Sequence, residues 1–151
     1  MSDSHVTLSS DVADHDRAAV VDGLVAYNAQ HGFPWPWRDL AFVLHDAAGV
    51  VIGGILAETN AQWCFIKGLW VAETYRHRGY GRRLLGAAED SARERGCIGV
   101  YLDTYSFQAR PFYERFGYTV FGVLPDMPPG GAKYYLAKRL DQPSPLRADD
   151  C

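Results

Sequence analysis

Arg76-His77-Arg78-Gly79-Tyr80-Gly81 lies between a strand-like apolar run, Phe65 to Val71, and a helix-like run from Arg82 to Arg95. Two glycines one residue apart allow a tight turn and leave bare N–H groups at a helix start. Arg76, Arg78, Arg82 and Arg83 surround the same spot with positive charge. Donors, dipole and cations in one place suit a phosphorylated ligand. A GxG after a strand is also what an ordinary turn looks like, so the flanking chain has to decide. Spacing removes two nucleotide readings: there is no GxxxxGK[ST], and the position where a dinucleotide fingerprint has its third glycine holds Leu84.

Downstream, Leu84, Leu85, Ala88 and Ala92 repeat at helical spacing while Glu89, Asp90, Arg93 and Glu94 face elsewhere, and Gly96 supplies a stop. Cys97 to Asp103 then reads as a buried strand. Strand, glycine loop, helix and strand form a crossover unit whose strands are expected to be parallel neighbours, with the loop at a carboxyl end. A short helix, roughly Gln108 to Phe116, ends at Gly117. Tyr118 to Leu124 and Lys133 to Lys138 read as a final strand pair joined by Pro125 to Gly131.

Upstream, Ala41 to His45, Val50 to Glu58 and Trp63 to Val71 read as three antiparallel strands in series, the first two joined by Asp46 to Gly49. The aromatic loop Gly32 to Arg38 cannot be helical, because Pro34 and Pro36 remove donors and fix φ. Before it, a helix over Asp14 to Gln30 gathers Val20, Val21, Leu24, Val25 and Tyr27 on one broad face, which is expected to be core. Val6 to Leu8 reads as a short first strand, and Ser9-Ser10-Asp11 as a lead into the helix. The segment from residue 141 to residue 151, with Pro143 and Pro145, reads as a flexible tail behind a single domain over residues 1–140.

With 151 residues, 48% of them hydrophobic, the chain can bury one core, and a net charge of −3 argues against a nucleic-acid binder. Cys64, Cys97 and Cys151 match no zinc spacing and fit reduced thiols; the five histidines form no HxxxH pair, so no metal is expected. No apolar run reaches the roughly 20 residues that span a bilayer, and the polar start is no signal peptide, so a cytoplasmic protein without membrane contact is expected.

RxxGxGxxLL directly after Leu69-Trp70-Val71, followed by AxxxYxxxGY at Ala109, Tyr113, Gly117 and Tyr118, resembles the GCN5-related N-acetyltransferase (GNAT) superfamily. The resemblance implies an α/β (α+β) fold of order β-α-β-β-β-α-β-α-β-β, with a mixed sheet of about six to seven strands flanked by helices. It also implies transfer of an acetyl group from acetyl-CoA (coenzyme A) to a primary amine, directly and within a ternary complex. By the same resemblance the cofactor site takes in the backbone at Leu69, Trp70 and Val71, the loop Arg76, Arg78, Gly79, Tyr80, Gly81, Arg82 and Arg83, and Ala109 and Phe112. Many members carry an asparagine where this chain has Ser106, so Ser106 or Gln108 is the expected substitute. Since Arg82 and Arg83 are about 100° apart on the helix, at least one is expected to face solvent.

Tyr113 matches the tyrosine that in many members protonates the leaving thiolate, against the alternative of a packing tyrosine. Glu73 is the first candidate for the base, with Glu58 and Asp103 as rivals. The aromatic loop and the last strand pair supply candidate acceptor contacts, namely Phe33, Trp35, Trp37, Asp126 and Tyr134, residues that would equally serve as core or as a homodimer surface. A small-molecule amine is the expected acceptor; a noncatalytic acyl-CoA sensor and a protein or peptide acetyltransferase are the alternatives.

Overall fold

A computed structural model describes residues 5–33 and 35–142. The chain divides into two compact units, Met1–Trp35 and Pro36–Cys151. The first contains one helix, α1 (Asp14–Gln30), which begins after Ala13 with Asp14 and Asp16 in its first turn. The Ala13 N–H donates to Asp16 Oδ2 at 3.4 Å, and two carboxylates at the positive end of the helix are favourable. Ser9-Ser10-Asp11 precedes the helix, with Ser9 Oγ accepting from the Asp11 N–H. Two expectations need correction. Val20, Val21, Leu24, Val25 and Tyr27 are exposed and α1 has no buried residue, since a unit with a single helix offers no second layer for the stripe. Val6 to Leu8 is not a strand: both apolar ends of the run are exposed, and a strand needs a ladder to join.

The second unit is a six-stranded mixed sheet in the order β1-β2-β3-β4-β6-β5, which makes the element order α-β-β-β-α-β-α-β-β. β1 (Arg38–His45), β2 (Val51–Asn60) and β3 (Trp63–Val71) form the expected antiparallel series. Asp46 closes the first turn by accepting from the N–H groups of Ala48 and Val50 at 2.9 Å each. After β3 the chain makes a 3-10 turn at Glu73–Tyr75 and enters α2 (Tyr80–Glu94). It then returns as β4 (Gly99–Tyr105), parallel to β3 as the crossover requires. α3 (Arg110–Arg115), β5 (Thr119–Pro125) and β6 (Ala132–Arg139) complete the unit, with β6 between β4 and β5. The tail from residue 143 lies outside the described residues, and so does Cys151.

The core forms where α2 lies across β1 to β4, around Ile55, Leu85, Val100, Leu102, Leu136 and Cys64. Cys64 and Cys97 are both buried free thiols, as expected of small apolar residues, and burial pushes the Cys64 thiol up to about 12. Glu89, expected on the outer face of α2, is buried beside them. One turn beyond Leu85, it falls on the apolar stripe, and it is tolerated there because its carboxylate is paired. Lys138 Nζ of β6 lies 2.8 Å from Glu89 Oε2, and the Tyr118 hydroxyl donates to the same oxygen at 3.1 Å. Burial, then the neighbouring carboxylate, holds the Tyr118 phenol well above its ordinary value.

The feature that shapes the site is an irregularity in β3. Leu56 pairs with Gly68 and Ala57 with Ile66, so Lys67 is an extra residue against β2, a β-bulge. On the other edge, the β3–β4 ladder runs from Trp63–Gly99 to Ile66–Leu102 and stops there. Beyond that point the two parallel strands part.

Removing Lys138 tests the buried pair. Lys138→Met leaves the buried Glu89 carboxyl without its counter-ion, held by the Tyr118 hydroxyl alone, and the expected loss in urea unfolding is about 3 kcal/mol, with the Glu89→Gln/Lys138→Met double variant recovering part of it. A single variant within about 0.5 kcal/mol of the parent contradicts the pairing.

Candidate active site

Backbone direction in the parted segment follows from two contacts. The Ala72 N–H donates to Ile52 O at 2.8 Å, so residue 72 faces β2. Alternation along the strand then turns the N–H and C=O of Leu69 and Val71 towards β4, where the ladder has already ended. Arg76 Nε donates to Val71 O at 2.9 Å, which leaves the Val71 N–H as a donor in the gap. Arg76 therefore ties the loop back to the strand end, in addition to standing among the loop's cations.

The loop itself is a bed of donors. His77 and Gly79 both have positive φ, +61° and +84°, on either side of Arg78. Gly79 is the N-cap of α2; it offers no side-chain cap, and the first turn of the helix contains no acidic residue. The early N–H groups of a 15-residue helix thus have no capping side chain, which is the arrangement that takes an anion. A β-carbon built on Gly79 would meet nothing within 4 Å, so the space over the loop is open. One on Gly81 would stand 3.2 Å from Phe112 Cζ, so α3 packs closely on the start of α2 there.

Two cavities flank the parted strands. The first, about 770 Å3, lies over the loop and the start of α2 and is closed by α3. Leu69, Val71, Arg76, Gly79, Tyr80, Gly81, Arg82, Ala109 and Phe112 all line it, joined by Tyr75, His77, Arg115 and Phe116. The second, about 640 Å3, lies along β3 and the end of β4, and Trp70 lines it. Both are of the size that small ligands and cofactors occupy. They share Leu69, Val71, Arg76, Ala109 and Tyr113.

Tyr113 is buried on that shared boundary, and burial raises its phenol to about 12, so the hydroxyl keeps its proton throughout the neutral range. Asp103 lines the second cavity, with its Oδ1 held by Lys133 Nζ at 3.3 Å. Glu58 is tied to Lys67 at 3.4 Å. Glu73 is exposed in the 3-10 turn and lines neither cavity.

Arg78 stacks over Tyr75, 5.6 Å from the ring centroid, and neither it nor the exposed Arg83 lines a cavity. Ser106 is occupied in a two-way bond to Ala132: its N–H donates to Ala132 O at 2.8 Å and its Oγ accepts from the Ala132 N–H at 3.2 Å. Gln108 is the one of the two that lines a cavity, the second, with Oε1 accepting from Thr104 Oγ1 and the Tyr105 N–H. Phe33 and Trp35 form an edge-to-face pair in the first unit, centroids 5.2 Å apart. Trp37 is exposed at the start of β1's approach, Asp126 occupies the β5–β6 turn at φ +59°, and Tyr134 packs under Arg110; none of the three lines either cavity. Besides the shared Tyr113, the aromatic residues of the second cavity are Trp70, Tyr105 and Phe107. The sequence signal for the last two was an aromatic pair, two residues apart, just ahead of the AxxxY motif.

The sequence model of the Acetyltransferase (GNAT) family matches residues 14–118. The chain belongs to this family. It is 38% identical over 131 residues to Acetyltransferase Atu2258 of Agrobacterium fabrum, covering 86% of this chain and 96% of the relative. It is 42% identical over 93 residues to Blasticidin-S acetyltransferase of Streptomyces morookaense, covering 61% and 68%. A crystal structure of an acetyltransferase from Bacillus cereus superposes with a TM-score of 0.80 at 31% identity, over 89% of this chain and 98% of that one. GNAT membership makes the chain an acyl-CoA-dependent N-acetyltransferase with acetyl-CoA as donor. The uncapped amides of α2, the open space over Gly79 and the unpaired edge of β3 fit that donor's phosphates and its amide-bearing arm.

Gly79→Ala places a β-carbon at φ +84°, a strain of about 1 kcal/mol that the loop relieves by turning its amides. The dissociation constant of coenzyme A, measured calorimetrically, is expected to rise about fivefold to tenfold. An unchanged constant contradicts the amide cradle.

Proposed function

We propose that this acetyltransferase moves the acetyl group directly from acetyl-CoA, bound in the first cavity, to a small-molecule primary amine bound in the second. The observation that carries the reading is the shared boundary: Tyr113 and Val71 line both cavities, so a donor and an acceptor in separate cavities would meet there. The second cavity's volume of about 640 Å3 suits a small molecule better than a protein surface. A relative named for blasticidin S supports the same class.

Acetyl-CoA, when bound, supplies an acetyl group activated as a thioester together with a thiol leaving group. The amides at the α2 N-terminus, with Arg82 beside them, hold its phosphates, while Leu69 and Val71 offer unpaired backbone to its arm. The Val71 N–H is the donor placed for the carbonyl oxygen that gains charge. Tyr113 holds the proton that the departing sulfur needs, and its buried site keeps that proton on the phenol. Asp103 is the carboxylate that lines the acceptor cavity, so it, rather than Glu73, is the group that takes the amine's proton. Direct transfer is favoured because neither cavity is lined by a cysteine among the described residues, and Cys64 and Cys97 are buried in the core.

Tyr113→Phe is expected to lower kcat about 100-fold, with little change in the affinity for coenzyme A. Because the phenol's value lies near 12, the parent enzyme's turnover should show no falling alkaline limb up to about pH 10. In parallel, Asp103→Asn should lower kcat/KM at least about tenfold, and Glu73→Gln less than about twofold. Thiol release from acetyl-CoA measures all three. Full turnover by the Tyr113 variant removes it as the acid, and the reverse order of the two carboxylate variants returns the base to Glu73.

A further inference from the structure

Phe107 lines the second cavity and is 72% exposed. It is not on a loose loop. Ser106 on one side is bonded in both directions to Ala132, and Gln108 on the other donates its N–H to Tyr105 O at 2.9 Å while its Oε1 accepts from the Tyr105 N–H. The ring of Phe107 lies parallel to that of Tyr105, 5.4 Å between centroids and 6° between planes. Lys133 Nζ stands over Tyr105, 5.5 Å from its centroid, and the same lysine holds Asp103. Lys133 of β6 and Tyr105 of β4 thus stand against Phe107 on its pinned turn, and Phe107 lines the cavity while most of it stays exposed.

We propose that Phe107 is a stacking platform for the acceptor, and that the acceptor is an amine whose skeleton carries a flat unsaturated ring. The proposal rests on the second cavity being the acceptor site. A flat ring laid on Phe107 extends the existing stack at the offset geometry that aromatic pairs prefer, while a saturated ring of the same size meets the same surface without the facing planes. The carboxylate of Asp103, in the same cavity, attracts the ammonium end of such a molecule. Because the turn is already bonded in place, little order has to be created when the ring binds.

Amine pairs with a flat or a saturated ring test this, compared as the fraction present as free amine: 2-phenylethylamine against 2-cyclohexylethylamine, and benzylamine against cyclohexylmethylamine, with kcat/KM from thiol release in the parent and in Phe107→Leu. The flat member of a pair is expected to be favoured about fivefold to tenfold, and Phe107→Leu to bring the ratio within about twofold. Equal rates within the pairs of the parent enzyme, turnover confined to ring-free amines, or a ratio preserved in Phe107→Leu overturns the platform and leaves the acetyltransfer reading standing. Coenzyme A raising Tm with no thiol released by any pair also overturns the platform. If coenzyme A does not raise Tm and no amine releases thiol, the acetyltransfer reading fails and the platform with it.

Discussion

The parting of β3 from β4 after the Ile66–Leu102 pair is the constraint on which the rest of the site depends. A parallel ladder that continued would spend the N–H and C=O groups of Leu69 and Val71 on β4 and close the gap where the two cavities meet. The bulge at Lys67 sits at the residue where the ladder ends, and a bulge bends the strand that contains it. The strand is still held on its other edge, because β2 pairs with it from Gly53–Val71 onwards. One edge rigid and one edge free is what a binding strand requires: its donors stay in place without being satisfied by the protein.

The same parting explains the division of labour among the arginines. Arg76 is bonded to the carbonyl of Val71 and lines both cavities, so it stabilises the free strand end. Arg82 lines the first cavity from the first turn of α2, where its charge adds to the helix dipole. Arg78 and Arg83 line neither cavity, and Arg78 stacks over Tyr75. Further back, Tyr113 touches Tyr118, ring centroids 5.8 Å apart, and Tyr118 leans on the buried Glu89–Lys138 pair. Removing that pair would disturb the wall against which Tyr113 is packed.

Much of this was legible in the chain. The RxxGxG spacing, the apolar run before it and the AxxxY motif after it identified the loop, the crossover and Tyr113, because each is local and its periodicity is strong. The second cavity was not legible in the same way. The rings that line it come from β3, the end of β4, the following turn and α3. They are brought together by register, which a single sequence does not display. Glu89 and the α1 stripe show the converse limit. A polar residue was buried because Lys138 and Tyr118, distant in sequence, meet it, and the apolar residues of α1 stay exposed in a unit that contains a single helix.

A crystal structure with coenzyme A and an amine bound together tests the central claim, that donor and acceptor occupy separate cavities and meet where β3 and β4 part. The account predicts the pyrophosphate on the amides of residues 77–82, the pantetheine arm paired with the backbone of Leu69 and Val71, the sulfur beside the Tyr113 hydroxyl, and the amine next to Asp103. Coenzyme A lying in the cavity of Asp103 and Phe107, or an amine reaching the sulfur from any other side, would contradict it.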